Sequence, residues 1–106
     1  MQAIVHKEVK MVKKYEIAFL IKEGEGAKST AERIKEYLTK LKADIQKESE
    51  LENRQLAYPI HKSREEFKRA YYYFLNVEMD TKSIPEFERN IKYDEDVIRH
   101  MILVED

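Results

Sequence analysis

Polar and apolar positions change period several times along the chain, and each change marks an element. Tyr15, Ile17, Phe19 and Ile21 alternate with Glu16, Ala18 and Leu20, the period-two signature of a strand over 15–21. The stretch 22–28 holds both glycines and reads as a loop. From Ser29 the period lengthens. Ala31, Ile34, Leu38 and Leu41 fall on one stripe, and Ser29 with Glu32 spells a capping box, so an amphipathic helix is expected to end near residues 42–44. Residues 44–60 return towards alternation, clearest at Arg54, Leu56 and Tyr58, with Pro59 marking a strand end or a sheet edge. The polar, basic stretch 61–69 reads as a connection. Residues 70–79 form the strongest strand pattern, with Tyr71, Tyr73, Leu75, Val77 and Met79 on one face and Tyr72, Phe74, Asn76 and Glu78 on the other. A second Ser-x-x-Glu at Ser83 and Glu86, with Pro85 in the first turn, opens a short helix with Ile84, Phe87 and Ile91 inside. Residues 96–104 close the series as a strand of branched residues.

The order β-α-β-β-α-β predicts an α+β, ferredoxin-like sandwich: a four-stranded antiparallel sheet with both helices on one face. The other face is then left for water or a partner. One domain fits 106 residues.

Composition narrows the chemistry. There is no cysteine, which excludes disulfides, thiolate metal sites and cysteine nucleophiles. Three scattered histidines argue against structural zinc. No apolar run approaches the roughly 20 residues of a membrane-crossing helix, and the N-terminus does not read as a secretory or transit segment, so the expected compartment is the cytoplasm. The net charge of −1 hides a basic surplus over residues 1–14 and an acidic one over residues 84–106. No phosphate-binding or nucleophile-elbow motif is present, and the Gly24-Glu25-Gly26 pair is too little for a phosphate cradle. Asp94, Glu95 and Asp96 read as a solvated turn, and His100 as a packed or surface histidine. No catalysis, cofactor, metal or small-molecule substrate is expected.

Cations and rings are more suggestive. Lys13, Lys14, Arg54, Lys68, Arg69, Lys92 and Arg99 flank the strands of one sheet, as phosphate contacts would require. Rings of the 71–74 run that face away from the helices are placed to stack on bases or to pack against a partner protein.

The strings RQLAYPIHK (54–62), KKYEIAFLI (13–21) and YDEDVIRHMILVE (93–105) resemble the bacterial-type small-subunit ribosomal protein family number six, in order and spacing over residues 11–106. The resemblance implies a structural constituent of the small ribosomal subunit. Such a protein binds the central domain of small-subunit rRNA as a heterodimer with ribosomal protein S-eighteen. It further implies rRNA contacts at Lys13, Lys14, Tyr15, Arg54, Lys92 and Arg99, with Tyr58 and Pro59 shaping the strand. Glu52 and Asn53 stand where the family often has a glycine and a second basic residue. Residues 1–10 read as an extension, or as the product of an upstream start codon, ahead of the family start at Met11. An RNA-recognition-motif-like protein binding single-stranded RNA is the alternative, since residues 69–75 loosely echo the RNP1 pattern, although Ala70 and Tyr72 depart from it. An acylphosphatase-like enzyme is a third reading, for which the 22–28 loop is a poor fit.

Overall fold

The computed structural model describes residues 11–105; the proposed 1–10 extension lies outside the described residues. Strand β1 (Val12–Ile21) leads through a glycine loop to helix α1 (Ala27–Lys40). Strands β2 (Asp44–Lys62) and β3 (Glu65–Asp80) follow, then a single 3-10 turn, helix α2 (Ile84–Lys92) and strand β4 (Val97–Val104). All neighbours pair antiparallel in the order β2-β3-β1-β4. This is the ferredoxin-like βαββαβ sandwich.

Alternation decides what each face meets. The odd-numbered residues of β1 and β3 (Ile17, Phe19, Ile21, Tyr73, Leu75, Val77) pack under α1 and α2 with Ile34, Leu38, Phe87 and Ile91. Phe19 lies 6.0 Å from Tyr73 and meets Phe87 edge-on at 6.1 Å, centroid to centroid. Each such ring contributes roughly 1.5–3 kcal/mol by leaving water.

Three local expectations are corrected. Residues 61–69 are not a connection. They are the tip of a long β2–β3 hairpin, turned by Ser63 and Arg64 alone, both at positive φ (51° and 66°). Two successive left-handed residues make a tight hairpin turn that is usually spelled with glycine or asparagine, so its signal was missing. Helix α1 starts at Ala27 behind Gly26, two residues before Ser29, so the Ser29–Glu32 box does not cap it. Ser83 does stand at the start of α2, but without a side-chain cap; the Asp80 carboxylate accepts from Lys82 N–H at the preceding turn instead.

Pro59 is explained by position. β2 is an edge strand, and 19 of its residues (Asp44–Lys62) face only Glu65–Glu78 of β3, so its register slips at three places. The largest slip spans Gln55 to Ile60 and holds Pro59, where no ladder donor is needed. At this bulge Leu56 and Ile60 join Ala70 and Ile98 in a second, small apolar cluster, with Leu20, Phe67 and Tyr72 packed against it. The cluster lies on the sheet face away from the helices, so one end of that face is closed. Lys62 Nζ donates to Val97 O at 2.5 Å, and Lys22 pairs with Glu65 at 3.1 Å while lying 5.6 Å from the Phe67 ring centroid.

Candidate nucleic-acid interface

Helix α2 and the edge strand β4 enclose an open groove of about 890 Å³. Arg89 and Lys92 come from the last turn of α2, Arg99 and His100 from β4, and Lys62 from the hairpin arm. Four of these are lysines or arginines, and among the described residues Glu88 is the one carboxylate lining the groove, 3.3 Å from His100 Nε2. Tyr93, 75% exposed, stands at the lip just past Lys92. Cations set around an exposed ring suit phosphate oxygens beside a base.

Three of the seven acids in residues 84–106 are tied up away from this groove. Glu105 accepts from Asn76 at 2.6 Å. Asp94 and Asp96 both pair with Arg33 of α1, at 2.8 and 2.9 Å. The turn Asp94-Glu95-Asp96 is therefore not the solvated loop expected. Asp94 is 6% exposed and also accepts from Tyr37 OH at 3.2 Å and from Asp96 N–H at 3.1 Å. Burial pushes the Asp94 carboxyl up, but the Arg33 and backbone hydrogen bonds, the Arg33 charge and Tyr37 outweigh it and hold the group below the usual carboxylate range.

Of the sequence-derived contact residues, the groove brings together Lys92 and Arg99. Arg54 lies opposite Ala70 on edge strand β2, and its side of the sheet is the same as that of Arg99. Lys13 and Lys14 stand exposed at the start of β1, on opposite faces, with Lys14 near Lys47 and Asn76. Tyr15 is corrected: it is 5% exposed and packs in the helix-side core, so its ring is not available for stacking. Tyr58 is corrected in the opposite sense. At 82% exposure its ring packs on little, and Leu56 and Ile60 hold the strand's shape. Sequence reasoning missed Lys62, Arg89 and Tyr93. Arg89 was visible as a last-turn cation of α2, whereas Lys62 enters only because the hairpin tip docks beside Val97.

The rest of the sheet's free face is different in kind. Ala18, Phe74, Met101 and Leu103 border a shallow depression of about 260 Å³, with Glu16 and Asn76 at its margins. Phe74 lies 6.1 Å from Tyr72, whose ring is drawn into the cluster beneath the arm. Among the described residues no group of histidines and carboxylates could hold a metal ion, and no helix is long and apolar enough to cross a membrane.

Comparison with known proteins gives the family. A family model described as Ribosomal protein S6 matches residues 14–103. The small ribosomal subunit protein bS6 of Halalkalibacterium halodurans is 40% identical over 94 residues, covering 86% of this chain and 95% of the relative. The crystal structure of 30S ribosomal protein S6 from Thermotoga maritima superposes with a TM-score of 0.79 at 22% identity, covering 90% of this chain and 89% of that one, which supports the fold. Ribosomal proteins of this family are structural, not enzymes, and in bacteria their place is the cytoplasmic small subunit. The chain belongs to the ribosomal protein S6 family of the small ribosomal subunit.

Proposed function

We propose that this protein binds the central domain of small-subunit rRNA together with ribosomal protein S-eighteen, and that its two free surfaces divide the work. The observation that carries this reading is the convergence of Lys62, Arg89, Lys92 and Arg99 around one groove with Tyr93 at its lip. RNA affinity rests on cations that displace condensed counterions, and this groove supplies them in a chain of net charge −1. Lys13, Lys14 and Arg54 extend the contact along the sheet's ends as peripheral phosphate partners. The depression bordered by Ala18, Phe74, Met101 and Leu103 is apolar and poor in charge, which suits a protein neighbour, and S-eighteen is assigned to it. The RNA-recognition-motif alternative loses its main support because the Tyr72 ring is engaged in the cluster beneath the arm.

The test is reconstitution with a central-domain rRNA fragment and purified S-eighteen. The double variant Lys92→Ala with Arg99→Ala should weaken RNA binding and flatten its dependence on log salt by about 2, one unit for each lost phosphate contact, while leaving S-eighteen binding and unfolding midpoints unchanged. An unchanged salt slope refutes the groove as the RNA site.

A further inference from the structure

Two of the groove's cations, Lys92 and Arg99, flank a turn that is fastened by the neighbouring helix α1. Tyr93–Asp96 joins α2 to β4, with Lys92 immediately before it and Arg99 three residues after it. Arg33, on α1, reaches this turn with a planar fork. Nε donates to Asp94 Oδ2 at 3.1 Å, and Nη2 donates to Asp94 Oδ1 at 2.8 Å and to Asp96 Oδ2 at 2.9 Å. Thr30 Oγ1, 3.3 Å from Nη2, and Tyr37 OH complete the enclosure. Backbone bonds bracket the same turn: Asp94 N–H to Ile91 O, Val97 N–H to Asp94 O and Lys22 N–H to Asp96 O, at 2.9–3.1 Å. The bidentate geometry fixes both distance and orientation, which a point-charge lysine would not. Arg33 is not among the residues that line the groove.

We propose that the Arg33–Asp94 clasp is a positioning device for rRNA recognition, setting the α2–β4 turn so that Lys92, Tyr93 and Arg99 face one ligand together. This rests on the groove being the RNA site. The clasp does not touch RNA; it holds the elements that do. Its loss lets the turn shift and separates cations that must reach neighbouring phosphates at once.

Charge makes the idea sharply testable. Asp94→Asn removes a negative charge near a polyanion site. If the clasp had no positioning role, electrostatics alone would leave binding unchanged or tighten it. Positioning predicts the reverse, a loss of about tenfold in affinity for the central-domain fragment with S-eighteen present. Arg33→Lys should show a similar loss although it keeps the charge, because the fork is gone. Binding is measured well below each variant's melting temperature, with circular dichroism confirming a folded chain. Should Asp94→Asn not fold, Arg33→Lys and its cycle with Lys92→Ala carry the test. In that cycle the effect of Lys92→Ala should shrink in the Arg33→Lys background, since a displaced lysine has less to lose. Unchanged or tighter binding by Asp94→Asn, or strict additivity in the cycle, overturns the proposal. If Lys92→Ala and Arg99→Ala are themselves silent, the groove reading fails and the clasp proposal falls with it. If they weaken binding and the clasp variants do not, the clasp proposal alone fails.

Discussion

On the helix-backed side of the sheet, Phe19, Val77 and Phe87 have no solvent exposure. On the opposite side, Met101 and Leu103 are 58% and 55% exposed in the same strand, β4, that contributes Val97 to the core. The contrast comes from how the two sides are covered. Two helices shield the first side over the central strands, from Tyr15 to Ile21 and from Tyr71 to Met79. The second is covered at one end only, by the curl of the bulged hairpin arm over Leu56, Ile60, Ala70 and Ile98. Folding free energy is therefore concentrated on one side, and the other keeps apolar and charged surface for neighbours. A binding protein of this size gains from that separation, because recognition surface can change without loosening the core.

The comparison breaks most visibly at Phe19. Phe19→Ala should cost about 3–5 kcal/mol, read as a lower urea midpoint, because the ring sits between Tyr73 and Phe87 with no room to collapse cheaply. Ile60→Ala probes the smaller cluster and should cost about 2 kcal/mol, the low end for a buried branched side chain. Its amide-exchange signature should be confined to the arm and leave α1 and α2 protected. On the exposed end, Met101→Ala with Leu103→Ala should leave stability within about 0.5 kcal/mol of the parent, since both side chains are more than half exposed, yet weaken S-eighteen binding about tenfold, measured by calorimetry. A large stability loss there would mean that this face carries fold as well as recognition.

Acid provides the gentlest probe. Asp94 has a folded-state value below its ordinary one, so its contribution is present above the usual carboxylate range and is lost as pH falls through the lowered value. The stability gap between the parent and Asp94→Asn should therefore narrow on acidification. A gap independent of pH would show that the Arg33 pairing does not discriminate between the two protonation states.

Much of this was readable in advance, for identifiable reasons. Alternation in 15–21 and 70–79 is clean because one face of each strand is fully buried, and the stripes at Ile34, Leu38, Phe87 and Ile91 are equally plain. The hairpin tip was illegible because Ser63 and Arg64 adopt left-handed conformations without the residues that announce them. The slips in β2 have no local signature, since an edge strand with one solvated side tolerates extra residues. The burial of Tyr15 is written in that same alternation, since it shares its face with Ile17, Phe19 and Ile21, and only the lysines beside it suggest a contact residue. Of the groove, Lys92 and Arg99 were accessible from the family resemblance. Arg33 and Asp94 are 61 residues apart, and nothing in either neighbourhood names the other.

The uneven rim of the sheet bears on the time between synthesis and incorporation. A straight, fully extended outer strand is an invitation to cross-β stacking by identical chains. β2 declines it: its register slips, its proline and the charges of Lys47, Glu48, Glu50 and Glu52 spoil any long, flat match with a copy of itself. A molecule with such a border can thus remain dispersed before assembly without a chaperone shielding it.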